Sequence, residues 1–205
     1  MSEIPLDLCY EPVMPADRSP GIGCIGAGFI MADCHLVAYR NAGFNPVAIA
    51  NRTRSKAEEV AERHGIEKVY EDYEELLADP AVEVVDIALP PDLQRDVVDR
   101  ICEGYAGKIR GILAQKPLAM NYADARHIVE ACTAAGITLA VNQNMRYDQS
   151  IRALKDLLGR GLLGEPVLAT IDMRAIPHWQ DWAIPYGKLS YYIMSIHHID
   201  TFRYL

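Results

Sequence analysis

The sequence predicts an α/β protein built on a doubly wound parallel sheet. Three observations predict it. Short apolar runs alternate with helical stretches between residues 22 and 141, those runs are continuously apolar, and a glycine turn separates the first run from the first helix. Strands alternating with helices imply parallel pairing through right-handed crossovers. Continuous apolar strands fit a sheet covered on both faces.

The elements follow in order. Residues 1–19 carry Pro5, Pro12 and Pro15 among scattered charges and read as an irregular leader. The run 22–25 is a strand ending in the glycine turn, and Ile30, Met31, Leu36 and Val37 give the next stretch the spacing of a helix that closes near Gly43. A strand at 47–50 leads into a helix over 55–64 stopped by Gly65. Residues 68–70 form a short strand, and Asp72 caps an acidic helix over 73–78. The strand 83–89 is broken by Pro90-Pro91, and a helix over 93–103, a strand over 109–114, a helix over 122–135 and a strand over 137–141 complete a sheet of about six strands. This places one domain at 20–145.

After Asn142 the rhythm changes. Residues 151–158 are an amphipathic helix, 166–174 alternate as a strand, and 175–189 form a loop holding Pro177, Trp179, Trp182, Pro185 and Gly187. A last helix starts near Tyr191 and still runs at Leu205, so residues 146–205 read as the start of a second α/β (α+β) domain. Its apolar face lacks a partner within the sequence. The expectation is a piece of a longer protein, or a face covered by another subunit.

Charge and cysteine usage exclude several classes. A net charge of −8 argues against nucleic acid or an anionic membrane as partner. Cys9, Cys24, Cys34, Cys102 and Cys132 show no metal-ligand spacing and read as reduced thiols, so no metal is expected. No apolar run is long enough to span a bilayer and the N-terminus does not resemble a secretory signal, which leaves the cytoplasm as the expected location.

The turn Ile25-Gly26-Ala27-Gly28-Phe29-Ile30-Met31 carries the first functional signal. Gly26 permits a tight turn, Gly28 lets a pyrophosphate approach the backbone, and the helix N-terminus offers free N–H groups. Met31 stands where the usual fingerprint has a third glycine, a packing position. The plain alternative is an ordinary tight turn. At the end of the second strand, where an acidic residue would hold the ribose of NAD, stand Asn51, Arg52 and Thr53. Arg52 suits a 2′-phosphate, so NADP(H) is expected over NAD(H), the alternative being a solvated surface arginine.

From about Gly23 onward the chain resembles the glucose–fructose oxidoreductase/inositol dehydrogenase (Gfo/Idh/MocA) family. The landmarks are Gly26-Ala27-Gly28-Phe29-Ile30, Ala88-Leu89-Pro90-Pro91, Gln115-Lys116-Pro117-Leu118-Ala119, Arg146-Tyr147 and His197-His198-Ile199-Asp200. The resemblance implies a dinucleotide-binding Rossmann domain joined to an α/β domain whose sheet covers the active site. It also implies oxidation or reduction of a sugar or polyol with a nicotinamide cofactor, and association of copies into a homo-oligomer. Cofactor contacts are expected from Gly26, Gly28, Phe29, Ile30, Asn51, Arg52, Thr53, Leu89, Pro90, Gln115, Lys116 and Asn142.

The family form of the Gln115-Lys116-Pro117 motif is Glu-Lys-Pro, and its lysine contacts the reacting hydroxyl and the nicotinamide ribose. Lys116 is thereby the expected catalytic lysine, with Gln115 in place of the glutamate. His197 falls at the family's catalytic histidine, but Ile193 stands one turn earlier where many members carry an aspartate. It reads either as an acid/base or as a hydrogen-bonded structural histidine. Arg146, Trp179 and His197 are expected at the substrate, although the amides and arginine after residue 141 also suit loop capping and the tryptophans suit packing. Two other functions remain open: a non-catalytic NAD(P)-binding sensor or partner subunit, and an NAD-assisted glycosidase.

Overall fold

A computed structural model describes residues 7–174, 181–187 and 190–205, apart from the side chains at 181–183 and 190. They form two compact units. One is Pro15–Asn142, and the other joins residues 7–14 to Gln143–Leu205.

The first unit is a six-stranded sheet in the order β3-β2-β1-β4-β5-β6. The strands are β1 (Gly21–Ile25), β2 (Asn45–Ala50), β3 (Lys68–Tyr70), β4 (Val84–Ile87), β5 (Gly111–Ala114) and β6 (Thr138–Val141), and every neighbouring pair is parallel. The chain therefore winds outward from β1 in one direction and from β4 in the other. The crevice between their carboxyl ends is where ligands of such sheets sit.

The helices cover both faces, as the apolar strands require. On one face α1 (Leu36–Ala42), its π-helical lead-in Ile30–His35 and α2 (Arg54–His64) bury Ile22, Cys24, Met31, Leu36, Ile49 and Val60. On the other, α3 (Tyr73–Ala78), α4 (Pro91–Gly104) and α5 (Tyr122–Ala134) bury Ile25, Leu76, Val85, Ile87, Val98, Ile112 and Ile128. Ile25 and Cys24 fall in different clusters because successive strand side chains point to opposite faces. Local chemistry sets the helix ends. Asp72 accepts from the Glu74 N–H at 2.9 Å and Asn121 from the Asp124 N–H at 2.9 Å, capping α3 and α5. Pro91 opens α4 at a position where no N–H is needed.

In the second unit a 3-10 turn (Asn144–Tyr147) precedes α6 (Gln149–Gly159), and a π-helical turn (Ser190–Ser195) runs into α7 (Ile196–Tyr204). A further 3-10 segment spans Asp181–Tyr186. Residues 7–11 have no regular structure but are tied to α6: Arg152 donates to the Tyr10 and Glu11 carbonyls at 2.7 and 2.9 Å, and the Cys9 N–H donates to Asp156 at 3.2 Å.

One expected element is not formed. Residues 166–174 carry the alternation of a strand but are irregular, with Val167 97% and Leu168 83% exposed. Alternation marks a face to be buried, but a strand exists only through backbone pairing. No described residue pairs with this segment. The expected loop over 175–189 contains the 3-10 segment followed by a bend at Gly187, and residues 175–180 and 188–189 lie outside the described residues. No described helix is long and apolar enough to cross a membrane, and no group of three or more potential metal ligands occurs among the described residues.

Candidate active site

Four backbone turns converge at the carboxyl edge of the first sheet and line a cleft of about 400 Å3. Gly26, Ala27 and Gly28 follow β1, Asn51 and Arg52 follow β2, Glu71 follows β3, and Leu89 and Pro90 follow β4. The two glycines do different work. Gly26 has φ +102°, and a Cβ there would stand 2.6 Å from the Ala88 carbonyl oxygen. It is a glycine because the turn passes against the end of β4. At Gly28 an added Cβ would meet nothing within 4 Å, so its missing side chain leaves open space beside the cleft.

The turn is anchored from the neighbouring strands. The Gly26 N–H donates to the Ala50 carbonyl at 2.8 Å, and the Ala88 N–H to the Ile25 carbonyl at 2.9 Å. Asn51 spans the gap, accepting from the Ala27 N–H at 3.3 Å and donating to the Thr53 carbonyl at 3.0 Å. Asn51 thus clamps the turn, and Thr53 takes the N-cap position of α2. Gly26→Ala is expected to strain the turn by about 1–2 kcal/mol from its left-handed backbone alone. The contact with Ala88 adds to that, and thermal unfolding with dinucleotide titration checks both losses.

Of the expected cofactor residues, Gly26, Gly28, Asn51, Arg52, Leu89 and Pro90 line this one cleft. Phe29 and Ile30 sit beside it at the start of the π-helical lead-in, 66% and 38% exposed. Glu71, Tyr73, Leu93 and Asp96 also line it and were not foreseen. A signal for Glu71 existed: it is the residue after β3, and parallel pairing of β3 with β2 carries it to the same sheet edge as Arg52. A carboxylate is therefore present in the cleft, supplied by β3 rather than β2.

Asn142, directly after β6, also enters a buried polar chain. Its amide nitrogen lies 2.7 Å from His35 Nε2, and His35 Nδ1 lies 2.7 Å from Asp86 Oδ2, which also accepts from the Tyr39 hydroxyl at 2.6 Å. With the Asn142 amide donating, His35 carries its proton on Nδ1 and donates it to Asp86. Asp86 is fully buried in β4 and His35 is 8% exposed. Burial and then the nearby Asp86 carboxylate push the Cys24 thiol and the Tyr39 hydroxyl well above their ordinary ranges. The chain linking β6, the first helix and β4 is thus a polar strut inside an apolar layer, and it commits the Asn142 amide nitrogen to His35.

Lys116 follows β5 at the same carboxyl edge, and its peptide bond to Pro117 is cis. Burial lowers its pKa from the ordinary lysine value. The Gln115 side-chain oxygen accepts from the Lys116 N–H at 2.8 Å, so the residue in place of the family glutamate is used in the local turn.

The remaining candidates belong to the second unit. His197 on α7 is 8% exposed, and Ile193, one turn earlier, is 7% exposed. Arg146 makes two hydrogen bonds of 2.6 Å to Asp200, and its guanidinium stands 5.3 Å from the Tyr204 ring centre. This fork-to-fork pair ties the 3-10 turn to α7 and occupies the guanidinium expected at a substrate. Trp179 lies outside the described residues.

Comparison with known proteins agrees with this geometry. Residues 21–143 match the model of the oxidoreductase family with an NAD-binding Rossmann fold. The chain is 30% identical over 189 residues to a 1,5-anhydro-D-fructose reductase of Ensifer adhaerens, covering 89% of this chain and 55% of that protein. An oxidoreductase structure from Thermotoga maritima superposes with a TM-score of 0.78 at 26% identity, covering 91% of this chain and 60% of that one. An Agrobacterium radiobacter oxidoreductase, solved with NAD+, L-tartaric acid and magnesium, gives a TM-score of 0.67 at 32% identity over 72% of this chain and 42% of that one. The chain spans about half the length of the curated relatives it matches. With its glycine turn, strand order and lysine motif in place, the chain belongs to the Gfo/Idh/MocA oxidoreductase family.

Proposed function

We propose that this chain carries the cofactor-binding half of a nicotinamide-dependent oxidoreductase acting on a hydroxyl or carbonyl of a sugar or cyclic polyol. The observation that carries the reading is a half-buried lysine at the end of β5 in the same Rossmann unit as the Gly26–Gly28 cleft. The activities named for two relatives, the 1,5-anhydro-D-fructose reductase and a Thermotoga maritima myo-inositol 2-dehydrogenase 28% identical over 159 residues, support the substrate class.

A nicotinamide cofactor bound in the Gly26–Gly28 cleft would supply the hydride chemistry. This chain's residues supply the rest. In the oxidation direction the neutral Lys116 amine would take the proton of the reacting hydroxyl, the resulting ammonium would stabilise the developing alkoxide, and His197 would serve as the second acid/base group. Arg146, Trp179 and His197 remain the expected substrate residues, with Arg146 held by Asp200. Asn142, Gln115, Phe29, Ile30 and Thr53 complete the proposed cofactor set. A cytoplasmic location and self-association belong to the same proposal.

Turnover of a polyol and sugar panel by the full-length protein tests this reading. Substrate-dependent reduction of the nicotinamide is expected. Ile193, apolar and buried one turn before His197, favours a second reading, a dinucleotide-binding sensor without chemistry. Tight cofactor binding with no turnover across the panel would establish it.

Arg52 carries a preference for NADP(H). It is exposed on the cleft, and a 2′-phosphate offers it a charge-assisted pair. Glu71, on the same cleft, works against that phosphate. Arg52→Ala is expected to weaken NADPH binding about tenfold, the scale of one charge-assisted hydrogen bond, and to leave NADH within about twofold. Titration of both cofactors checks it, and equal losses would remove Arg52 as the determinant.

A further inference from the structure

The main chain around Lys116 is pinned from both sides by one buried side chain. Gln94, the fourth residue of α4, is fully buried. Its side-chain oxygen accepts from the Gln115 N–H at 2.7 Å. Its amide nitrogen lies 3.0 Å from the Gln115 carbonyl, 2.8 Å from the Pro117 carbonyl and 3.4 Å from the Leu118 carbonyl. The Lys116 N–H is taken by the Gln115 side chain, and Pro117 has no N–H to place.

Backbone polar groups turned away from water must find partners, and this half-buried loop meets several of its own through a single buried residue bearing both a donor and an acceptor. Only an amide end meets that demand here. A carboxylate lacks the donor for the carbonyls, and an apolar residue leaves both kinds of group orphaned. The bonds fall on residues 115 and 117, on either side of the lysine, so they fix where its side chain leaves the backbone.

We infer that Gln94 is the positioning residue for Lys116, holding the lysine in its half-buried place at the end of β5. The inference rests on the reading of Lys116 as the group beside the reacting hydroxyl. Gln94 itself touches neither substrate nor cofactor in this role.

The test reads Lys116 directly. Competitive acetylation with acetic anhydride across pH, followed by mass spectrometry, gives the titration of Lys116 in the full-length protein. Gln94→Met keeps the shape and removes the polar end, Gln94→Leu is a second version, and Ile101→Val perturbs the same helix without reaching the loop. Both Gln94 variants are expected to raise the Lys116 titration midpoint by about one pH unit as the ammonium gains water. Ile101→Val should lower the melting temperature and leave that midpoint in place. An unchanged midpoint in a folded Gln94 variant, or an equal shift in Ile101→Val, overturns the inference.

If neither Gln94 variant folds, wild-type hydrogen exchange decides. Protection of the Gln115 amide, whose N–H is held by Gln94, at the level of β5 supports the clamp, and its exchange at loop rates overturns it. Dinucleotide titration of the same samples separates the two claims. A shifted Lys116 without dinucleotide binding would remove the functional reading and leave the positioning role intact.

Discussion

Lys116→Ala is expected to reduce turnover by a factor of about 10^2 to 10^4, the usual range for a lost acid/base group. Dinucleotide affinity should stay within about twofold, because Lys116 does not line the Gly26–Gly28 cleft. Two physical features give the lysine this weight. Burial lowers its pKa, which brings its neutral form closer to working pH. Its main chain is also held on both sides by hydrogen bonds to Gln94, so the amine arrives at a defined place. Steady-state rates and equilibrium titration on one preparation check both halves. Turnover near wild type would remove Lys116 from the chemistry.

Asp86→Ala is expected to destabilise the first unit by about 2–6 kcal/mol, from two buried donors left unpaired at about 1–3 kcal/mol each. Asp86 Oδ2 holds His35 at 2.7 Å and Tyr39 at 2.6 Å inside an otherwise apolar layer. Alanine leaves the imidazole N–H and the phenol hydroxyl without that acceptor, and it opens a cavity between β4 and the first helix. Asp86→Asn keeps the shape and one acceptor, so a smaller loss is expected. Urea unfolding of the three proteins checks the order. Equal stability of wild type and Asp86→Ala would mean that the strut contributes nothing. Because His35 lies on the lead-in from the glycine turn, the same variants should loosen dinucleotide binding.

The sheet was legible because its signals are local. Gly43, Gly65 and Asp72 mark helix ends by backbone chemistry that does not depend on distant residues. The glycine turn was legible for the same reason. Residues 166–174 misled because alternation states only that one face wants burial, and pairing is supplied from elsewhere. Glu71 was missed because its place in the cleft is set by register between β3 and β2, not by its own neighbours in sequence. Asn142 reads in sequence as one more amide after a strand. Its partner His35 lies 107 positions away, and only folding brings the pair within 2.7 Å. Gln94 has no sequence signal at all, since a glutamine in a helix is ordinarily a surface residue.

The central claim is that the turn at Gly26 and Gly28 receives a nicotinamide dinucleotide. Gly28 offers the most direct test, because a Cβ there meets no protein atom within 4 Å yet stands where the cofactor's phosphates would approach. Calorimetric titration of NADPH and NADH into wild-type protein and Gly28→Val is the measurement. The account predicts saturable one-to-one binding to wild type, and its loss in a Gly28→Val protein with an unchanged melting temperature. Undiminished binding in that variant, or none to the folded wild type, would contradict it.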